Sequence, residues 1–195
     1  MTSLHIRVED IPSLEGKTAI VTGQSCRLEY RKIAYLLLGG ASGIGFATAK
    51  ILSSKGAKAY ILDINSPDEA LPPNAEFIKC NITSWSELRS AFEHVKKVDI
   101  AVANAGVSEE CSYFEDTFDE SGQLLEPKYG VLEVNYRAVL NFVKLSTSYM
   151  RRAGGGSMVI TSSATAYAPE QSLPVYSSSK LAVSLGSSSQ SVLSI

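Results

Sequence analysis

The chain has 195 residues, which is enough for one domain with a sizeable hydrophobic core. Its 18 basic and 20 acidic residues give a net charge of −2, which argues against a nucleic-acid-binding surface, and no apolar run is long enough to span a membrane. Three dispersed cysteines and an N-terminus without a signal-peptide pattern indicate a cytoplasmic protein with reduced thiols, and no histidine–cysteine cluster has metal-site spacing.

Strand and helix patterns alternate along the chain. In chain order, the predicted strands are 17–23, 58–63, 75–80, 98–103 and 157–162. The predicted helices are 43–55, 85–96, about 128–152 and one that starts near Tyr176. Such alternation is typical of an α/β fold in which a doubly wound parallel sheet is covered by helices on both faces.

An acidic loop at 107–127 separates the fourth strand from the long helix. Its seven carboxylates belong to Glu109, Glu110, Glu115, Asp116, Asp119, Glu120 and Glu126. We expect this loop to be a solvated face, and the alternative is that it lines a substrate entrance.

Tyr176 and Lys180 stand four residues apart, so a helix beginning there places both on one face. A free phenol has a pKa of about 10, and a neighbouring ammonium stabilises its ionised form, which makes such a pair suited to proton transfer. Ser163 ends an apolar run upstream, where its hydroxyl can hold a carbonyl oxygen beside the phenol. The alternative is that this pair has no catalytic role and lies at an exposed helix start with a solvated lysine.

A glycine-rich turn is split in two by residues 24–39. Thr22 and Gly23 end the first strand, and residues 40–45 read Gly-Ala-Ser-Gly-Ile-Gly at the start of a helix. Small residues there let backbone amides approach a pyrophosphate. Asp63 ends the next strand, at a spacing where an acid binds the ribose hydroxyls of NAD and repels the extra phosphate of NADP.

With residues 24–39 set aside, the chain resembles the short-chain dehydrogenase/reductases, in particular fungal relatives of hydroxyprostaglandin-type dehydrogenases. The motifs are Thr-Gly-x-x-x-Gly-x-Gly, then Asn104-Ala105-Gly106 after a strand, Asn135 in a long helix, Ser163, and Tyr176 with Lys180. The resemblance implies a Rossmann fold and reversible hydride transfer between NAD and a secondary alcohol or ketone. It also implies a homo-oligomer, although the helix that helps to form the dimer interface in the family is expected to be truncated here.

The resemblance further implies a role for each matched residue. Tyr176 is the general acid and base, Lys180 assists it and binds the ribose, and Ser163 positions the substrate oxygen. Asn135 holds a water of the proton relay. The implied cofactor-binding residues are Thr22, Gly23, Gly40, Ser42, Gly43, Ile44, Gly45, Asp63, Ile64, Asn81, Ile82, Asn104, Ala105, Gly106, Tyr176 and Lys180.

Two segments depart from the family pattern. Residues 24–39 are an insertion, and 33–39 competes with 17–23 for the first strand, although overpacking by Tyr35 favours 17–23. The serine-rich stretch from 177 onward replaces later strands, so we expect a single dinucleotide-binding domain truncated after its fifth strand, with a disordered tail at 186–195. Both segments are consistent with an altered reading frame or retained non-coding sequence. The alternative function is therefore a catalytically inactive nucleotide-binding or interaction fragment.

Overall fold

The computed structural model describes residues 7–23, 43–109 and 113–188, of which 185–188 are described by their backbone alone. The strands are β1 (Thr18–Thr22), β2 (Lys58–Asp63), β3 (Ala75–Lys79), β4 (Ile100–Ala103) and β5 (Ser157–Ile160). The helices are α1 (Gly43–Ser54), α2 (Trp85–Val95), α3 (Gly130–Leu132), α4 (Val139–Ala153) and α5 (Pro174–Ser188). Short 3₁₀ turns lie at Val8–Asp10 and Ala164–Ala166, and a π-helical segment at Glu133–Ala138 joins α3 to α4.

The five strands form one parallel sheet in the order β3-β2-β1-β4-β5. This order is that of the Rossmann fold, so the predicted doubly wound α/β class is confirmed. β1 is the central strand, and its Thr22 is level with Leu62 of β2 and Ala103 of β4. The choice of 17–23 over 33–39 as the first strand is also confirmed, while 33–39 lies outside the described residues.

The core has two parts because successive side chains of a strand point to opposite faces of the sheet. Ile20 packs on one face with Phe92 of α2 and Phe142 of α4, whose ring centroids are 5.5 Å apart. Val21 packs on the other face with Phe46 of α1. Burying each phenylalanine stabilises the fold by roughly 2–3 kcal/mol. These two layers hold the carboxyl ends of the strands at one edge of the sheet.

The long helix predicted at 128–152 is interrupted. It begins as α3 at Gly130, passes through the π-helical segment, and continues as α4 to Ala153. Gly154 ends it, since its φ of 86° is in the left-handed region that glycine adopts without strain. The π-helical segment has no counterpart in the hydrophobic pattern, because one extra residue in a turn changes the side-chain spacing only locally.

The last helix is longer than expected. α5 begins at Pro174 rather than near Tyr176, because proline suits the first turn of a helix, and it runs to Ser188. Of the tail predicted to be disordered at 186–195, residues 186–188 are described as helical backbone, and 189–195 lie outside the described residues. Within the serine-rich stretch, Ser177, Ser179 and Val183 are buried. The hydroxyl of buried Ser179 donates to Tyr176 O at 2.6 Å, so this small polar side chain is satisfied by a carbonyl of its own helix.

Candidate active site

The carboxyl ends of β1, β4 and β5 are joined by buried polar side chains. Thr22 Oγ1 accepts from the backbone N–H of Asn104 at 3.2 Å, and Thr161 Oγ1 donates to the side-chain oxygen Oδ1 of Asn104 at 3.1 Å. Asn104 is 2% exposed, and its Nδ2 has no hydrogen-bond partner in the described part of the chain. A buried donor without a partner is costly, so this edge of the sheet offers a hydrogen bond to a ligand.

Lys180 lies at this same edge, on α5. Its side chain is buried, its Nζ donates to Thr161 O at 3.1 Å, and Nζ is 5.8 Å from the ring centroid of Tyr176. The structure therefore brings the predicted pair together. Burial disfavours the charged ammonium and lowers the pKa of Lys180 to about 8. At neutral pH the amine is thus still mostly charged, and its charged and neutral forms become equal near pH 8.

Asn135 is fully buried in the π-helical segment and clamps the backbone of Val107. Its Oδ1 accepts from Val107 N at 2.8 Å, and its Nδ2 donates to Val107 O at 2.9 Å. Nδ2 also donates to Ser179 Oγ at 3.1 Å, and Ser179 Oγ donates to Tyr176 O at 2.6 Å. Asn135 is therefore connected to the backbone of Tyr176 through one serine, which no sequence motif had indicated.

Gly106 allows this assembly to close. A Cβ built on Gly106 would lie 3.1 Å from Lys180 Nζ and 3.4 Å from Asn135 Oδ1. Any larger residue would push these side chains apart. The glycine of the Asn104-Ala105-Gly106 motif is thus explained by packing against Lys180 and Asn135, while Ala105 is buried.

Ser163 lies after β5 and caps the 3₁₀ turn Ala164–Ala166. Its Oγ accepts from Thr165 N at 3.2 Å and from Thr165 Oγ1 at 3.0 Å. Among the described residues, its hydrogen bonds are thus local, and none joins it to Tyr176. Its predicted role toward a substrate oxygen stays a prediction.

The residues predicted to hold the adenosine half of a dinucleotide lie at the ends of β2 and β3. Asp63 is buried, and its Oδ1 accepts from Asn65 N at 3.1 Å, with half-buried Ile64 between them. Asn81 is exposed, and its Oδ1 accepts from Thr83 N and Thr83 Oγ1. Ile82 belongs to the hydrophobic core, so its backbone rather than its side chain is left for a ligand.

The two halves of the glycine turn are described only at their ends. Gly23 N donates to Leu62 O at 2.9 Å. Gly43 has a φ of 56°, and after it the side chain of Ile44 is 46% exposed while Gly45 is buried. Gly40, Ser42 and the inserted residues 24–39 lie outside the described residues.

Glu109 is a site residue that the sequence interpretation missed. The sequence predicts that it belongs to a solvated acidic loop, yet its carboxylate accepts from Val175 N at 3.1 Å and from Tyr176 N at 2.9 Å. Residues 113–127 of the loop are exposed, as predicted. One sequence signal could have indicated the role of Glu109. Pro174 marks a helix start, and Leu173 before it has no side-chain oxygen to cap the helix, so the cap must come from elsewhere in the chain.

A cleft of about 460 Å³ opens beside α5. Pro174, Ser177, Ser178 and Leu181 line it from the helix, and Phe114 lines it from the acidic loop. Because successive helix residues are 100° apart, these positions lie on a different side of α5 from Tyr176 and Lys180. The α5 residues that line this cleft are therefore not those that belong to the polar cluster at the carboxyl edge of the sheet.

Three further features of the described residues concern metal ions, membranes and thiols. They contain no group of three or more histidine, cysteine or carboxylate side chains placed to hold a metal ion. Over the same residues, no helix is both long and apolar enough to cross a bilayer. Cys80 is buried in the core, which raises the pKa of its thiol to about 12, so it is not a reactive thiolate. Cys26 and Cys111 lie outside the described residues.

The low pKa of Lys180 predicts a pH-dependent stability. In the unfolded chain its pKa is near the ordinary 10.5, and in the native state it is about 8. Between these values the unfolded chain binds more protons, so the free energy of unfolding rises with pH. Between pH 8 and 10, we expect the free energy of unfolding of wild type to rise by about 2 kcal/mol relative to that of Lys180→Met. Urea unfolding at each pH measures this change.

The matched control is Lys144→Met, which removes an exposed lysine of α4. The difference in unfolding free energy between wild type and this control should stay constant over the same pH range. If the difference in unfolding free energy between wild type and Lys180→Met is also constant with pH, the Lys180 ammonium is not desolvated in the native state.

Comparison with known proteins identifies a family. The family model described as "short chain dehydrogenase" matches residues 33–190. The match begins in the segment that competes with β1, whereas the structure uses Thr18–Thr22 as the central strand. Both segments thus resemble the first strand of the family, and the fold has adopted the earlier one.

Individual relatives agree with the family model. The chain is 54% identical over 182 residues to the short-chain dehydrogenase/reductase prx4 of Penicillium roqueforti, covering 92% of this chain and 50% of that protein. It is 49% identical over 186 residues to the short-chain dehydrogenase/reductase ATR7 of Stachybotrys chlorohalonatus, covering 94% of this chain and 54% of that protein. The chain therefore spans about half the length of the curated relatives it matches.

A solved structure agrees at the level of the fold. A 3-ketoacyl-(acyl-carrier-protein) reductase from Brucella melitensis, complexed with NADH, superposes with a TM-score of 0.68 at 24% sequence identity. The superposition covers 91% of this chain and 69% of that one. At this identity the likeness concerns the sheet and its helices.

Proposed function

Because the chain belongs to the short-chain dehydrogenase family, we propose that it forms the nicotinamide-binding domain of an oxidoreductase that interconverts a secondary alcohol and a ketone. The observation that carries the proposal is the pair of buried side chains Lys180 and Asn135, which meet at half-buried Gly106 beside Tyr176. Burying an amine destabilises the fold, and the start of a helix does not require one. A buried amine next to a phenol is therefore better explained by a role in function.

The residues present fit a nicotinamide cofactor. Family membership implies such a cofactor, and the carboxyl edge of the sheet offers the Nδ2 of Asn104, a buried donor that has no partner among the residues the structure describes. Lys180 supplies a cation for ribose hydroxyls, and Asp63 supplies an acceptor at the end of β2. We propose that the cofactor-binding set predicted from the sequence, from Thr22 to Lys180, lines this edge. When bound, the nicotinamide supplies or accepts the hydride.

The proposed proton path uses the chain's own side chains. In ketone reduction, the Tyr176 hydroxyl donates its proton to the carbonyl oxygen as the hydride adds to the carbon, which leaves an alcohol and a tyrosinate. The Lys180 ammonium stabilises that tyrosinate, and a proton from water restores the phenol. In the proposed arrangement Ser163 orients the substrate oxygen. Asn135 fixes the backbone around Lys180 and holds the relay water.

The test uses a version that we call the extended chain. In it residues 24–39 are deleted, so that Gly23 directly precedes Gly40, and the second half of the Penicillium roqueforti relative follows the matched region. We expect a change in nicotinamide absorbance with a panel of secondary alcohols and ketones. If the soluble extended chain binds NADH but turns over none of them, the proposed reaction is wrong.

We propose further that NAD is preferred over NADP, and this predicts a binding difference. The Asp63 carboxylate accepts bonds from ribose hydroxyls but repels a 2′-phosphate, so we expect the extended chain to bind NADH at least about tenfold more tightly than NADPH. Asp63→Ala should remove most of this difference by improving NADPH binding. Isothermal titration with both cofactors measures it.

Asp68→Ala is the control, because Asp68 is an exposed acid in the loop after β2. It should leave the ratio of the two dissociation constants unchanged. Tighter binding of NADPH than of NADH by the parent would overturn the role assigned to Asp63.

A further inference from the structure

The start of α5 lacks a cap of its own. The Leu173 carbonyl accepts the first helical hydrogen bond, from Ser177 N at 2.9 Å, so Leu173 occupies the N-cap position. A leucine side chain has no oxygen to accept from the first free amides, and Pro174 has no N–H. The amides that need an acceptor are those of Val175 and Tyr176.

Glu109 supplies that acceptor from a distant part of the chain. One carboxylate oxygen accepts from Val175 N at 3.1 Å and the other from Tyr176 N at 2.9 Å, across 66 and 67 residues of sequence. A carboxylate is also favoured there by the positive end of the helix dipole. The two bonds therefore fix the backbone of Tyr176 relative to the loop after β4.

The same loop contacts the proton-transfer cluster at two more points. Gly106 packs against Lys180, and Val107 makes two hydrogen bonds to Asn135. Glu109 follows two residues later. The loop thus contacts both ends of the Tyr176–Lys180 turn as well as the π-helical segment.

We propose that Glu109 is a positioning residue for Tyr176, which it holds in register with Lys180 and Asn135 by binding the amides of Val175 and Tyr176. This inference rests on the proposed function in assigning proton transfer to Tyr176. Under this proposal Glu109 couples the loop after β4 to α5, and so does more than stabilise the first turn of that helix.

Amide hydrogen exchange in the 195-residue chain, resolved by residue with NMR, tests the coupling without any cofactor. We expect Glu109→Ala to speed exchange about tenfold at Val175 and Tyr176, and also at Val107. Adding Leu173→Asp places a local cap on α5. The double variant should restore protection at Val175 and Tyr176 but not at Val107.

Two further variants keep the comparison sound. Glu109→Gln retains the volume of the side chain but only one acceptor oxygen, so it should speed exchange at the same amides by a smaller factor. Glu115→Ala removes an exposed acid of the same loop and should change none of them. Unchanged exchange at Val107 in Glu109→Ala would reduce Glu109 to a local cap and overturn the proposal.

The extended chain adds a kinetic readout. We expect Glu109→Ala to lower kcat about tenfold with little change in the KM for NADH, and Leu173→Asp not to restore it. Full kcat in the single variant, or full recovery in the double variant, would contradict positioning. An extended chain without turnover would instead count against the proposed function, since the exchange experiment depends on neither cofactor nor substrate.

Discussion

Tyr176→Phe in the extended chain should lower turnover by about 10²- to 10⁴-fold, which is the usual contribution of a positioned general acid or base. Phenylalanine keeps the ring beside Lys180 Nζ and the backbone bond to Glu109, and it removes only the hydroxyl. Binding of NADH should therefore be nearly unchanged. A rate assay measures the first half of this prediction and isothermal titration the second.

Tyr167→Phe is the matched control, because Tyr167 follows the 3₁₀ turn after Ser163 and is 81% exposed. It should leave both turnover and NADH affinity unchanged. If Tyr176→Phe keeps activity within about tenfold of the parent, another group supplies the proton and the mechanism proposed above is wrong.

Asn135→Ala should destabilise the 195-residue chain by about 2–4 kcal/mol. The substitution leaves the part-buried N–H and C=O of Val107 without the side chain that binds both of them, and Ser179 loses a donor. Because Val107 belongs to the loop that contacts Lys180, the effect should extend to the site. The free energy of unfolding, obtained from urea titration, measures the loss.

Asn141→Ala provides the comparison, since Asn141 is a half-buried asparagine on the neighbouring helix α4. It should change the free energy of unfolding by no more than about 0.5 kcal/mol. Equal effects of the two substitutions would show that the Asn135 hydrogen bonds contribute nothing beyond helix propensity.

Much of the sheet could be predicted from sequence because each strand is a short apolar run with its own boundaries. β2 was predicted with the bounds that the structure shows. The choice of β1 was harder, since 17–23 and 33–39 share the same apolar pattern, and packing arguments favoured the strand that the structure contains. Patterns that depend on one extra residue per turn, such as the π-helical segment at Asn135, leave no periodic trace.

The site shows the same division between local and distant signals. The spacing of Tyr176 and Lys180 is a helical spacing, so sequence alone placed both side chains on one face. Glu109 was missed because its partners lie 66 and 67 residues away, and a carboxylate in an acidic loop has the same local signature whether it is solvated or capping a helix. The burial of the serines was missed because composition does not show which hydroxyls bond to helix carbonyls.

The central claim is that this domain binds a nicotinamide cofactor, and the most direct test is an NMR titration with NADH. The protein for it is the chain lacking residues 24–39. The account predicts saturable shifts of the amides at Gly23, Gly106 and Tyr176, which lie at the carboxyl edge of the sheet. The amides of Gly16 and Gly56, at the opposite edge, should not move. Absence of saturable shifts in the folded protein, or shifts confined to Gly16 and Gly56, would contradict the claim that this domain holds a nicotinamide cofactor beside Tyr176 and Lys180.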